Sequence, residues 1–118
     1  MWEIEFFIKD NNRCPTKDFL DDLSPTQDLP YINNRFKQLE EHGNKLRRPH
    51  ADFLEDGIWE LRVKTRSGQF RFFYFFFDGV QVIITHGLHK KTRAIPRAEI
   101  KRAQEYRSIY LERQKKEK

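Results

Sequence analysis

The sequence contains little of what stabilises or anchors many small proteins. Its 118 residues include one cysteine, Cys14, so no disulfide can form within the chain, and no group of Cys and His has the spacing of a zinc site. The longest unbroken apolar run, residues 72–77, is far shorter than the roughly 20 residues that span a bilayer. Residues 1–8 carry early acids and lack the plan of a secretory signal. We therefore expect a cytoplasmic protein with no membrane segment, metal or other cofactor.

The motifs of several familiar enzyme classes are also missing. The chain has no glycine-rich phosphate loop, no His-Glu-x-x-His helix and no nucleophilic serine motif. These absences argue against a nucleotide hydrolase, a zinc peptidase of that type or a serine hydrolase. Any chemistry would have to come from ordinary acids and bases gathered by the fold.

Aromatic residues are what the sequence has in quantity. Eleven Phe, four Tyr and two Trp can fill an interior even though only 37% of the residues are hydrophobic and the mean hydropathy is −0.88. A chain of 118 residues can enclose one core but not two of ordinary size. We therefore expect a single domain over residues 1–118, with residues 112–118 as a frayed basic tail.

Positive charge is concentrated in the second part of the chain. Residues 1–46 hold six Lys and Arg against nine Asp and Glu, a net charge of −3, whereas residues 47–118 hold 17 against nine, a net charge of +8. Such polarity is typical of a protein whose C-terminal part meets a polyanion. A solvated helix face with a basic tail would give a similar count.

Period-two alternation predicts the strands. Trp2, Ile4 and Phe6 alternate with acids in the first strand, and residues 58–64, 69–77 and 80–85 give three more. Asp78-Gly79 predicts a tight hairpin between the last two, because both central residues of a type I′ turn need positive φ. Residues 44–56 show no clean period and are interpreted as a connection.

Helical spacing and capping residues predict three helices. The first covers residues 15–23. The second begins at a capping-box pattern at Ser24 and ends near Gly43, with an apolar stripe of Leu29, Ile32, Phe36 and Leu39. Pro96 marks the first turn of the last helix. The predicted fold is therefore α+β, in β-α-α-β-β-β-α order, with an antiparallel sheet packed by helices.

Basic residues gather around the predicted hairpin and beyond it. They are Arg62, Lys64, Arg66 and Arg71 in or between two strands, and His86, His89, Lys90, Lys91 and Arg93 after the last strand. Fixed cations can stabilise the charge that builds on a phosphodiester when the neighbouring 2′-hydroxyl attacks it. This chemistry needs no metal, and it requires RNA because DNA lacks that hydroxyl.

Five blocks of the chain together resemble a known family. In chain order they are Leu46-Arg47-Arg48-Pro49, Leu54-x-Asp56-Gly57-Ile58-Trp59-Glu60-Leu61-Arg62, Arg71-x-x-Tyr74, His86-Gly87-Leu88-His89-Lys90-Lys91-Thr92 and Pro96-x-x-Glu99-Ile100. They resemble the HigB-like, phage-related branch of the RelE/ParE toxins of type II toxin–antitoxin systems. Asp52 departs from the family, which often has a basic residue there. The likeness covers nearly half of the chain.

The resemblance implies a RelE-like fold and a toxin that cleaves mRNA on the ribosome, neutralised by a small antitoxin that commonly has a helix-turn-helix domain. The catalytic residues implied are Arg62, Lys64, Arg71, His89 and Lys91. From the cluster of bases we also expect RNA-binding residues at Arg66, His86, Lys90 and Arg93, and Tyr74 could stack on a base. Either His86 or His89 can serve as the proton shuttle at an ordinary pKa.

Two other functions are consistent with the same sequence. A ParE-like inhibitor of DNA gyrase would share the fold and act by binding a protein. A non-catalytic module would bind RNA or ribosomes with strong salt dependence and leave transcripts whole. The basic residues around Arg62, Arg71 and Lys91 favour RNA over gyrase as the target, whereas the non-catalytic module stays open.

Overall fold

The computed structural model describes residues 1–23, 26–91 and 94–117, in which five strands and three helices are formed. The strands are β1 (Glu3–Phe6), β2 (Ala51–Glu55), β3 (Ile58–Thr65), β4 (Gly68–Phe77) and β5 (Gln81–Lys90). The helices are α1 (Pro15–Asp21), α2 (Leu29–His42) and α3 (Arg97–Lys116). The α+β class is as predicted.

The five strands form one mixed sheet in the order β1-β5-β4-β3-β2. Strands β2 to β5 are antiparallel neighbours, as expected for β3, β4 and β5, and the Asp78-Gly79 turn has the predicted positive φ at both residues. The expectation of a wholly antiparallel sheet is wrong, because β1 runs parallel to β5 at one edge. Alternation reveals that β1 is half-buried but does not report its direction.

Strand β2 lies within the segment that was predicted to be a connection. It is short and its pairing with β3 is shifted by an irregularity between Phe53 and Glu55, which breaks the alternation that would have revealed it. Asp56 and Gly57, both at positive φ, turn the chain into β3. The same Asp-Gly signal that predicted the later hairpin was therefore present here as well.

Helices cover both faces of the sheet. On one face, α1 and α2 pack against a core that includes the predicted stripe Ile32, Phe36 and Leu39 of α2. On the other face, α3 packs against a second core formed by Phe7, Ile58, Phe73, Phe75, Ile83, Ala103 and Tyr110. Within the described residues, none of the helices combines the length and the apolar character needed to cross a bilayer.

The last two elements are longer than the sequence predicted. Strand β5 continues to Lys90, so His86, His89 and Lys90 lie within it and not after it. Helix α3 continues to Lys116, because Arg113 donates to the carbonyl of Ile8 at 2.6 Å and ties the last turns down where a frayed tail was expected. The predicted capping residue Ser24 lies outside the described residues.

Candidate functional site

Strand register places four of the predicted cations on the same face of the sheet. Arg62 pairs directly with Arg71 across β3 and β4, while Lys64 pairs with Gln69, which in turn pairs with Lys90 of β5. Paired residues share a face, and residues two apart on a strand share a face as well. Since Phe73 of β4 packs beneath α3, this is the α3 face, and the cations lie beyond its apolar core.

An alternating chain of charges crosses this face. Glu60 lies between two arginines, with its Oε1 3.0 Å from Nε of Arg71 and its Oε2 3.0 Å from Nη2 of Arg62. Asp52 lies between Arg62 and Arg48, with its Oδ2 3.3 Å from Nη2 of Arg62 and 2.8 Å from Nη2 of Arg48. Glu60 and Arg71 are buried, and Arg48 at the outer end is exposed. Two carboxylates thus hold three guanidinium groups, and the surplus charge is positive.

The pKa values in the cluster reflect this burial and crowding. Burial is the main cause that lowers the pKa of Arg71, and the neighbouring Arg62 lowers it further. The pKa of Lys90 is also lowered, first by burial and then by the charge of Arg71. The pKa of Asp52 is lowered mainly by its hydrogen bond from Arg48. The carboxylate therefore stays ionised and the lysine becomes a better proton donor than an ordinary one.

A cavity of about 350 Å³, which we call the basic cavity, opens beside these residues. Its lining is formed by Arg35, Pro49, His50, Arg62, Val63, Lys64, Gln69 and Arg71. Strand β2 pairs with β3 only as far as Leu61, so the edge of β3 beyond that point borders the cavity. Three predicted site residues, Arg62, Lys64 and Arg71, therefore meet in one cavity.

His50 is the histidine of the basic cavity. Its carbonyl accepts a hydrogen bond from the Arg62 amide at 2.8 Å and its own amide donates to the Arg47 carbonyl at 3.0 Å, so the backbone is fixed beside β3. Burial, followed by the positive charge of Arg35, lowers the pKa of His50. The imidazole is therefore neutral at pH 7 and can accept a proton.

Arg35 brings a cation from α2 to the same cavity. Nη1 of Arg35 donates to Oε1 of Gln38 at 2.8 Å, whereas its Nε is buried without a hydrogen-bond partner. No carboxylate of the described residues pairs with Arg35, and burial lowers its pKa. Buried donors normally have a hydrogen-bond partner. A guanidinium that lacks one and lines an open cavity can therefore bind an anion there.

His86 and His89 are not placed with this group. His86 is buried, its ring is stacked on Phe73 with centroids 4.8 Å apart, and its Nδ1 lies 3.1 Å from the Thr85 hydroxyl. His89 points to the α2 face, where its ring stacks on Phe70 and its Nε2 lies 3.1 Å from the Ser67 carbonyl. Neither ring lines the basic cavity, because β5 extends through both positions. A proton shuttle at His89 and an RNA contact at His86 stay predictions.

The remaining predicted residues divide three ways. Tyr74 is fully buried in the core beside Trp59, so it cannot stack on a base as expected. Lys91 is exposed after β5, and Arg66 lines a different cavity beyond the β3–β4 turn. Arg93 lies outside the described residues. Thus Lys91 remains an expected catalytic residue and Arg66 and Arg93 expected RNA contacts.

Sequence reasoning missed Arg35 and His50. Arg35 lies outside the apolar stripe of α2, and its position in the sequence resembles that of an ordinary surface cation of a helix. His50 directly follows the Leu46-Arg47-Arg48-Pro49 block, and this adjacency was the available signal. Among the described residues, no three His, Cys, Asp or Glu side chains are grouped as a metal site would group them.

Two comparisons with known proteins bear on identity. No curated protein matches the chain. The family described as Phage derived protein Gp49-like (DUF891) matches residues 18–108, which include α2, all of β2 to β5 and most of α3. The matched stretch contains the whole basic cavity. The chain therefore belongs to the Gp49-like family of phage-derived proteins, a family of RelE-like, toxin-like proteins.

Proposed function

We propose that this chain is the toxin of a toxin–antitoxin pair and that it cleaves mRNA on the ribosome. The Gp49-like family is associated with such toxins. The observation that carries the proposal is the basic cavity, in which Arg35, Arg62, Lys64 and Arg71 surround a neutral histidine. A phosphodiester provides the negative charge that these groups lack, and a single-stranded message can enter an open cavity where a duplex cannot.

The reaction we propose is attack by a 2′-hydroxyl on the adjacent phosphorus. His50 accepts the hydroxyl proton as the bond from the 2′-oxygen to phosphorus forms, and the bond from phosphorus to the 5′-oxygen then breaks. The leaving 5′-oxygen takes a proton from Lys90, which pairs across β4 and β5 with Gln69 of the cavity lining and whose lowered pKa favours donation. The products are a 2′,3′-cyclic phosphate and a 5′-hydroxyl, so no water molecule is consumed in this step.

The arginines stabilise the charge that develops on the non-bridging oxygens. Arg71 is fixed by Glu60 and by Oε1 of Gln69, which accepts from its Nη2 at 2.9 Å. Arg62 is fixed by Glu60 and Asp52. Because these groups are held before substrate arrives, little reorganisation is needed during the reaction, and such preorganised donors are each worth about 10²–10³ in rate.

A partner follows from the same proposal. A toxin of this family is controlled by an antitoxin, and we infer one that carries a helix-turn-helix domain, as in the HigB-like systems that the sequence resembles. To cover the basic cavity, this partner needs acidic residues that pair with Arg35 and Lys64. Copurification of the chain with the product of a neighbouring reading frame tests the partnership.

Induction of the chain in bacterial cells tests the activity. We expect growth arrest within minutes of induction, with new mRNA 5′ ends inside coding regions that primer extension detects. The variant Lys64→Ala should yield fewer of these ends at equal protein levels. Growth arrest with intact mRNA and an induced DNA-damage response would instead favour the gyrase inhibitor.

A further inference from the structure

A second cavity has an exposed aromatic ring in its lining. This tyrosine cavity, about 240 Å³, is lined by Gln27, Asp28, Tyr31 and Arg66. Tyr31 is 56% exposed, whereas most other aromatic residues of the chain pack in the two cores. An aromatic ring with one face open to solvent and a guanidinium nearby is typical of a base-stacking site.

The residues that line the two cavities are neighbours on two elements of the fold. On α2, Tyr31 and Arg35 are four residues apart and therefore lie on the same side of the helix, one turn from each other. On the opposite wall, Lys64 of β3 is followed two residues later by Arg66. Arg35 and Lys64 line the basic cavity, whereas Tyr31 and Arg66 line the tyrosine cavity. On both elements, a residue that lines one cavity is therefore a near neighbour in the chain of a residue that lines the other.

We propose that the tyrosine cavity holds a base of single-stranded RNA, stacked on Tyr31, next to the nucleotide whose phosphate occupies the basic cavity. Arg66 contacts the phosphate between the two nucleotides. The side chains of Gln27 and Asp28 offer an amide and a carboxylate to the edge of the base. The inference rests on the proposed function, which supplies the phosphate in the basic cavity, and it adds the group that binds the neighbouring nucleotide.

The chemistry of the two cavities supports RNA over a protein partner. Phosphate contacts supply affinity that depends on salt, whereas stacking supplies affinity that does not. The basic cavity offers only the first kind of group, whereas the tyrosine cavity adds an aromatic ring to the cation Arg66. The aromatic residue that contacts RNA is then Tyr31, and not the buried Tyr74.

Binding of uncleavable oligonucleotides tests the proposal without the ribosome. A fluorescent 2′-O-methyl RNA and an abasic oligomer of equal length, which keeps the phosphates but lacks the bases, are titrated with the purified chain. Tyr31→Ala should weaken binding of the RNA by about 10- to 100-fold and leave binding of the abasic oligomer unchanged. Tyr31→Phe should bind both like the natural chain. The slope of log affinity against log salt concentration should not change.

A matched control is available in Phe53, another aromatic residue that is half exposed, at 49%, but lies on β2 against Trp59. Phe53→Ala should leave RNA affinity unchanged. Equal affinity of Tyr31→Ala and the natural chain for RNA would overturn the inference, as would an equal loss with the abasic oligomer. Weaker binding of Tyr31→Ala to ribosomes with unchanged RNA affinity would also overturn it, in favour of a protein contact.

These outcomes are separable from failure of the proposed function. If the natural chain cleaves mRNA but Tyr31→Ala does not change RNA binding, the base site is wrong and the proposed nuclease activity is unaffected. If RNA binding depends on Tyr31 but the chain does not cleave mRNA, the nuclease activity is wrong and the base site belongs to an RNA-binding module.

Discussion

Arg62 and Arg71 occupy directly paired positions of β3 and β4, and Glu60 contacts both guanidinium groups. Like charges at paired positions repel each other, so the carboxylate is what allows these two cations to lie side by side. Glu60 is two residues before Arg62 on the same strand and therefore faces the same side of the sheet. It acts as a positioning residue for both arginines of the candidate site.

Removing the charge of Glu60 should destabilise the fold. Glu60→Gln leaves Arg71, whose side chain is 7% exposed, without its carboxylate. Breaking a buried ion pair from one side typically costs about 3–5 kcal/mol, and urea denaturation followed by tryptophan fluorescence measures the loss. The matched control is Asp21→Asn, because Asp21 and its partner Lys17 are 59% and 68% exposed and such pairs contribute at most about 1 kcal/mol. Equal losses in the two variants would contradict the role assigned to Glu60.

The same reasoning limits what substitution of Arg71 can show. Arg71→Ala leaves Glu60 buried and unpaired, so a loss of activity in that variant would mix folding with chemistry. Lys64 is exposed, and its removal tests the site more cleanly. Lys64→Ala should weaken binding to single-stranded RNA and reduce the slope of log affinity against log salt by about 0.7. Lys116→Ala, which removes an exposed charge at the end of α3, should keep the natural slope. Identical slopes for the natural chain and Lys64→Ala would place the phosphate elsewhere.

His50 and His89 give opposite expectations for catalysis. His50→Gln should lower the rate of mRNA cleavage by about 10²–10⁴, the usual contribution of a general base. His89→Gln should cleave at nearly the natural rate, because its ring lies against Phe70 on the other face of the sheet. Single-turnover cleavage on purified ribosomes measures both. Loss of activity in His89→Gln with full activity in His50→Gln would restore the sequence-based assignment.

Burial of His86 predicts a loss of stability in mild acid. Burial, followed by the charge of Arg102, lowers the pKa of His86 to about 4. Glu99 lies 3.7 Å away, but the same oxygen is 3.2 Å from Arg102, which compensates its charge. The unfolded chain binds the proton near its ordinary pKa of about 6.5. The contribution of this histidine is therefore complete above pH 6.5 and is lost as the pH falls from 6.5 towards 4, to a total of roughly 3 kcal/mol.

Urea denaturation at pH 7.5 and pH 5 measures this effect. His86→Phe keeps a ring on Phe73 and cannot titrate, so its stability should fall less between the two pH values than that of the natural chain. Other groups titrate equally in both proteins, and the difference between the two proteins isolates His86. An equal fall in both would show that the imidazole is protonated in the folded state as well.

The sequence predicted the parts of the fold that periodicity reports. The core stripe of α2 and the turn at Asp78-Gly79 followed from local pattern, and β3 and β4 are close to their predicted bounds. Strand β2 was missed because an irregular pairing removes its alternation. The parallel direction of β1 was missed because pairing direction depends on how α1 and α2 carry the chain across the sheet, which no local pattern records.

The candidate site was predictable only in part for the same reason. Arg62, Lys64 and Arg71 were found because residues two apart on paired strands share a face. His86 and His89 were misplaced because β5 extends past its predicted end and alternation then sends one ring into the α3 core and the other to the α2 face. Arg35 joins the site from a distant part of the chain, through packing of α2 on β3 that only coordinates reveal.

Cleavage of a reporter mRNA with one 2′-deoxynucleotide at the mapped cut site, on purified ribosomes, tests the central claim most directly. Primer extension with the natural chain should show the cut in the all-ribose message and no cut at the deoxy position. Polynucleotide kinase should label the downstream fragment without phosphatase treatment, because its 5′ end is a hydroxyl. Cleavage that persists at the deoxy position, or that leaves a 5′-phosphate, would contradict attack by the neighbouring hydroxyl in the basic cavity.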